Sequence, residues 1–141
     1  VCLMHIRGEP ATMQQEPHYG DVVIEVHAFL AERVRVCQAA GIPRERLLVD
    51  PGFGFGKTLD HNLLLLRHLD RFTDLAAGVL VGVSRKSMIG LLLNAPVDER
   101  LSGSLEAAVV ALWQGAKIIR THDVRETVQA LCVCAAAQAA E

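Results

Sequence analysis

The stretch 46–72, RLLVDPGFGFGKTLDHNLLLLRHLDRF, holds the pattern on which the fold turns. Arg46-Leu47-Leu48-Val49-Asp50 reads as a short strand, apolar along its length and ending in a carboxylate. A loop containing Gly52, Gly54 and Gly56 follows. From 59 to 72, Leu63, Leu66, Leu69 and Phe72 recur at helical spacing. A strand without polar alternation is buried on both faces, which is the habit of parallel sheets. Strand, glycine loop and amphipathic helix together make one βα unit.

The same unit recurs on both sides. VCLMHI at 1–6 reads as a strand, followed by a polar loop with Gly8, Pro10, Pro17 and Gly20. Across 21–40, Val22, Val26, Phe29, Leu30, Val34 and Cys37 mark a helix that Gly41 and Pro43 stop. GVLVGV at 78–83 is a third strand. SRKSMIGLLL then leads through a loop around Pro96 to a helix at about 104–114, ended by Gly115. A fourth strand lies at 117–121, and the last helix runs over 124–140, rich in Ala. Four strand-then-helix units predict an α/β fold, with parallel strands near 1–6, 46–50, 79–83 and 117–121.

Composition narrows the function. The chain has 141 residues with 14 basic and 16 acidic side chains, a formal charge of -2. That balance gives no bulk reason to bind nucleic acid or an anionic membrane. Apolar residues make up 51% and aromatics 4%, so the expected core is aliphatic. The longest apolar runs are about nine residues, where a membrane helix needs about 20. Cys2, Cys37, Cys132 and Cys134 form no CxxC, and the six His do not pair with Cys at ligand spacing. Four reduced thiols and a cytoplasmic setting are expected. The chain opens on Val1 inside an apolar strand, so something is expected to be missing upstream.

Four units allow a small open doubly wound sheet or half of an eightfold barrel, which needs about 250 residues. Polar residues decide between them. Met4-His5-Ile6-Arg7, Asp50, Ser84-Arg85-Lys86 and Arg120-Thr121-His122-Asp123 each follow a strand. Barrel sites are assembled from several strand ends, whereas an open sheet concentrates its site at one switch point. The half barrel is favoured.

The glycine loop matches neither nucleotide-binding pattern. Gly52 and Gly56 are one residue too close for a phosphate loop, and Leu59 stands where the dinucleotide fingerprint needs a small residue. Glycines alternating with Phe53 and Phe55 suit close backbone approach to a flat ligand, on which an exposed Phe could stack. Asp50, half-desolvated at a strand end, suits a bidentate donor such as the amide-amine edge of a heterocycle. The cationic ends Ser84-Arg85-Lys86 and Arg120-Thr121-His122 suit an anion, phosphate above all, with Asp50 and Asp123 balancing part of their charge.

LMHIRGEPATMQ (3–14), LLVDPGFGFGKT (47–58), VGVSRKSMIG (81–90) and IIRTHDV (118–124), in this order, resemble the C-terminal half of bacterial dihydropteroate synthase. ERLSGSLEAAVVALWQGA (99–116) resembles that family's seventh barrel helix. The resemblance implies four βα units, strands 5–8 of a (β/α)8 TIM barrel, in a partial pterin-binding domain over 1–141. It implies condensation of p-aminobenzoate with 6-hydroxymethyl-7,8-dihydropterin pyrophosphate, in folate biosynthesis, with release of pyrophosphate and with Mg2+. Sulfonamides compete for the p-aminobenzoate site.

Carried over by motif, Asp50 binds the amino-pyrimidine edge of the pterin. Lys86 reaches the pterin and Met4 lines its pocket. Ser84 and Phe55 lie by p-aminobenzoate. Arg120 and His122 hold the pyrophosphate, with Thr121 between them, and Arg120 also borders the pterin. Lys86, Arg120 and His122 are the implied catalytic groups. The implied chemistry is dissociative: pyrophosphate leaves, and the arylamine attacks the pterin-methyl cation. The family's first four strands are absent, and with them the magnesium ligand, so no metal ligand is expected in this chain. The family is commonly homodimeric. Two other readings stand beside this one: a pterin-binding domain of a methyltransferase, and a non-catalytic truncated derivative.

Overall fold

A computed structural model describes residues 1–9, 12, 13, 15 and 17–140. Pro10 of the polar loop, and Ala11 and Gln14 of the first motif, lie outside the described residues. The four strands are β1 (Cys2–Met4), β2 (Leu48–Asp50), β3 (Gly78–Val81) and β4 (Ile118–Ile119). They form one sheet in the order β1-β2-β3-β4, every neighbouring pair parallel. Register sets Met4 opposite Asp50, Leu48 opposite Gly78, and Val81 opposite Ile119. The order follows the chain without reversal, so no switch point exists in this sheet.

Helices cover the sheet. They are α1 (Val22–Ala39), α2 (Leu59–Arg67), α3 (Ser87–Leu93), α4 (Leu101–Trp113) and α5 (Val124–Gln138). Asp21 caps α1, its side chain accepting from Val23 N at 2.9 Å and Ile24 N at 3.0 Å. The apolar stripe of α1 buries Val22, Val23, Val26, Leu30 and Val34. Thr58 caps α2 in a reciprocal pair with His61. The core joins these stripes to Val49, Val79 and Val81 from the sheet and to Leu47 and Val83 beside its strands. Each such side chain, fully buried, contributes roughly 1.5–3 kcal/mol against exposure.

Three expectations need correction. The strands are shorter than the apolar runs, because ladder pairing ends where the chain turns into the loops that carry polar residues. The helix expected over 59–72 stops at Arg67, and Leu69–Phe72 continues as a 3-10 turn that still buries Leu69 and Phe72. The stretch after Lys86, read as a lead into a loop, forms α3. Its Met88 and Ile89 face the core while Leu91, Leu92 and Leu93 are exposed, so its apolar residues do not repeat at a spacing that betrays a helix. Among the described residues no helix is long and apolar enough to cross a membrane.

Candidate functional site

Parallel strands bring every strand end to one side of the sheet. Asp50 is the last residue of β2, Ser84-Arg85-Lys86 follow β3, and Arg120 follows β4. Asp50 Oδ2 and Arg120 Nη2 approach to 3.9 Å, so the two residues meet at a common end as the sequence requires.

Asp50 is 2% exposed. Its Oδ1 accepts the Gly52 N–H at 2.8 Å, and its backbone carbonyl accepts the His5 N–H at 3.0 Å. Burial pushes its pKa up, opposed by the Gly52 hydrogen bond and by the charges of Arg120, Lys86 and Lys57. The carboxyl group is therefore buried, with the charges of Arg120, Lys86 and Lys57 favouring its ionised form against burial. It can accept from a ligand without first being stripped of water.

The glycine loop is shaped by its neighbour. Gly52, at φ +72, has the backbone oxygen of His5 where a Cβ would sit, only 1.8 Å away. Gly56, at φ +66, faces the Arg7 oxygen at 2.2 Å in the same way. Close approach is thus to the chain leaving β1, where the sequence suggested a ligand. The two Phe residues divide. Phe53 is 1% exposed and belongs to the core, so it cannot stack on a ligand. Phe55 is half-buried, and Lys86 Nζ lies 4.4 Å from its ring centroid. Lys86 also donates to the Phe53 carbonyl, which fixes its ammonium over the loop. Burial lowers its pKa to about 8, against the pull of Asp50.

The other cationic ends are held as a set. Ser84 is buried, and its Oγ lies 3.0 Å from His122 Nδ1 and accepts the His122 N–H at 3.2 Å. His122 is thereby anchored on its Nδ1 side. Arg85 pairs with Asp123 through two bonds, Nε to Oδ2 at 3.1 Å and Nη2 to Oδ1 at 2.5 Å. That pair raises the Arg85 pKa and lowers the Asp123 pKa, the hydrogen bond leading in both cases. Asp123 balances charge as the sequence suggested, through Arg85. Arg120 lies across Gly82, where an added Cβ would come within 2.7 Å of Nη2. Thr121 Oγ1 lies 3.0 Å from Thr127 Oγ1 and accepts the Asp123 N–H at 3.3 Å, so it also helps to start α5. Met4, opposite Asp50 in the register, is half-buried.

Sequence reasoning missed the supports. Lys57, 3% exposed, contacts Gly52, Phe55 and His5 from within. Tyr19 Oη donates to the Gly56 carbonyl at 2.8 Å, and Asn62 Oδ1 accepts the Gly54 N–H at 2.8 Å. Lys57 entered the sequence reading only as part of a failed phosphate-loop pattern. A lysine gives no sequence sign of burial, because it is usually exposed.

The family model described as pterin binding enzyme matches residues 1–122. The chain is 55% identical, over all 141 of its residues, to the dihydropteroate synthase of Escherichia coli (strain K12), and covers 50% of that protein. It resembles the crystal structure of the Yersinia pestis dihydropteroate synthase with a sulfonamide drug complex. The TM-score is 0.96 and the identity 49%, over 99% of this chain and 51% of the other. Against the Xanthomonas albilineans dihydropteroate synthase with 4-aminobenzoic acid the TM-score is 0.90 at 47% identity, over 99% and 50%. The chain spans about half the length of the relatives it matches. A buried carboxylate at the end of one strand, cations at the ends of the next two, and a family match running through all of them point the same way: the chain belongs to the pterin binding enzyme family.

Proposed function

We propose that this chain is the C-terminal half, strands 5–8, of a (β/α)8 barrel that acts as a dihydropteroate synthase. The observation that carries the proposal is buried Asp50 facing Arg120 at 3.9 Å, at the end of a sheet with no switch point. In this reading Asp50 accepts from the amino-pyrimidine edge of the pterin, with Met4 and Lys86 bordering it. Phe55 and Ser84 flank p-aminobenzoate. Arg120, Thr121 and His122 receive the pyrophosphate. The 4-aminobenzoic acid in the Xanthomonas albilineans structure and the sulfonamide in the Yersinia pestis structure support this substrate class.

The chemistry assigned to these residues is electrostatic. As the bond from the pterin methylene to the pyrophosphate oxygen breaks, negative charge grows on the departing group. Arg120 and His122 donate to that group, and each such preorganised donor is worth roughly 100-fold in rate. Asp50 holds the heterocycle and favours its cationic form. The amine of p-aminobenzoate then forms the new C–N bond and loses a proton. No side chain serves as nucleophile. Among the described residues no group of three or more His, Cys, Asp or Glu is placed to hold a metal, and the loops assigned to pyrophosphate are cationic. Magnesium is assigned, in this reading, to a ligand in the N-terminal half that the family resemblance implies, and no step is derived through it. Homodimerisation and a cytoplasmic location are part of the same proposal.

The test joins this chain to the N-terminal half of the Escherichia coli relative. The fusion is expected to form dihydropteroate from the pterin pyrophosphate and p-aminobenzoate with magnesium. The 141-residue chain alone is expected to run at least about 1000-fold slower, because half a site neither positions two reactants nor excludes water. Near-normal turnover by the chain alone overturns the half-barrel reading. A folded but inactive fusion overturns the assignment of activity.

A further inference from the structure

Lys57 is the buried charge that the proposed reaction leaves unused. It follows Gly56 directly, yet its side chain turns inward and is nearly sealed from solvent. Nζ lies 2.9 Å from the Gly52 carbonyl, 3.0 Å from the Phe55 carbonyl and 3.0 Å from His5 Nδ1. An ammonium has three protons and no lone pair, and here three acceptors stand within reach of it. His5 can serve as the third. Burial, then Lys57 and Arg7, depress its pKa to about 4, which leaves the ring neutral.

The consequences run to Asp50. The Gly52 whose carbonyl Lys57 holds is the residue whose N–H binds Asp50 Oδ1 at 2.8 Å. The His5 whose ring Lys57 touches donates its own N–H to the Asp50 carbonyl at 3.0 Å. One nitrogen therefore ties both sides of the glycine loop to the chain leaving β1, with Asp50 between them. The charges that face Lys57 are Asp50 from β2, Lys86 from the loop after β3 and Arg7 from the chain after β1. Burial lowers the Lys57 pKa to about 7, while Asp50 pulls it back up.

We propose that Lys57 is a positioning residue of the pterin site, its ammonium locking the glycine loop against the β1 exit and keeping Asp50 oriented and ionised to receive the ligand. Being buried, it acts through Asp50 and the loop. This inference rests on the pterin-binding role given to Asp50 above.

The test uses Lys57→Met, which keeps bulk and removes every donor, and Lys57→Gln, which keeps donors and removes charge. Binding of 6-hydroxymethylpterin is followed by calorimetry from acid to neutral pH on the fused barrel, with Asp50→Asn as control. Lys57→Met is expected to weaken binding roughly 10- to 100-fold, the scale of a displaced anchor. In both Lys57 variants the pH at which affinity is lost on acidification should move upward, because Asp50 loses a neighbouring cation. A residue that only filled space would leave that limb where it is. Wild-type affinity and an unmoved limb in both folded variants overturn the inference. Wild-type affinity in Asp50→Asn, or no pterin binding by the unmodified fusion, overturns the proposed function instead. Should neither Lys57 variant fold, 15N-lysine NMR of the unmodified protein decides. Slowly exchanging Nζ protons on Lys57 support the lock, and fast exchange overturns it.

Discussion

The side chain of Asp50 is 3% exposed and that of Arg120 is 58% exposed, although their charged atoms come within 3.9 Å. The loop after β2 is held from every side, by Lys57, Tyr19, Asn62 and the backbone of the β1 exit. The loop after β4 is held mainly at Ser84 and at the start of α5, and leaves Arg120 and His122 in water. A preformed acceptor for a flat heterocycle gains from burial, because no water must be displaced from it and no side chain ordered. Arg120 follows β4, an edge strand of this sheet beside which the proposed barrel places further strands, so its exposure belongs to the half barrel rather than to the pyrophosphate site.

The largest effects should separate the two loops by what they disturb. In the fused enzyme, Arg120→Ala is expected to lower kcat by roughly 100-fold, as the loss of one preorganised donor does. Asp50→Ala is expected to act first on the affinity for the pterin, with a loss of comparable size from a charged hydrogen bond and its buried surroundings. Steady-state kinetics and pterin calorimetry on both variants check the division. A pterin affinity unchanged in Asp50→Ala would break it. Acid should mimic that variant. Because burial raises the Asp50 pKa, its carboxylate protonates earlier than an exposed one as pH falls, and pterin affinity should drop through that raised value.

A second pair of substitutions tests the tightness of the β2 loop itself. Gly52→Ala sets a Cβ 1.8 Å from a backbone oxygen at φ +72, with no flexible atom to move away. It is expected to cost more than about 3 kcal/mol. Gly54→Ala meets only the side chain of Lys86, at 3.2 Å, and carries mainly the penalty of φ +76, about 1–2 kcal/mol. Urea midpoints of the two variants check the order. Equal midpoints would mean that the β1 exit yields and that the loop is not clamped.

These differences explain what could be read in the sequence. Strand ends advertise themselves, because a polar residue after an apolar run has few places to go in a parallel sheet. Asp50, Lys86, Arg120 and His122 were visible for that reason, and so was their common side. Lys57, Tyr19 and Asn62 were not: a lysine is rarely buried, and Tyr19 and Asn62 act only through the turn that brings Gly56 and Gly54 to them. Phe53 and Phe55 looked equivalent in the sequence, and only the turn of the loop sends one into the core and leaves the other beside Lys86. The helix α3 was hidden because three consecutive leucines carry no period.

The smallest effect concerns the joint between the β3 and β4 loops. Arg85 sits at φ 57, a left-handed conformation that costs a non-glycine residue about 1–2 kcal/mol. It is held there from several sides. Its N–H donates to Ser104 Oγ at 2.9 Å, its carbonyl accepts from Arg100 Nη1 at 3.1 Å, and its guanidinium grips Asp123. The side chains of the pair are 40% and 16% exposed, so solvent screens most of the attraction. Arg85→Ala and Asp123→Asn should each lower stability only slightly, and the double variant should lose little beyond either alone. The gain from the pair lies in aim, since the residues beside Arg85 are Ser84 and Lys86 and the residue before Asp123 is His122. Either single variant is therefore expected to reduce kcat/KM by more than its stability loss predicts, and to do so without altering the raised pKa of Asp50. A double-mutant cycle read in both urea midpoint and kcat/KM checks this. Additive losses in both would show that the two loops are placed independently and that the pair is surface decoration.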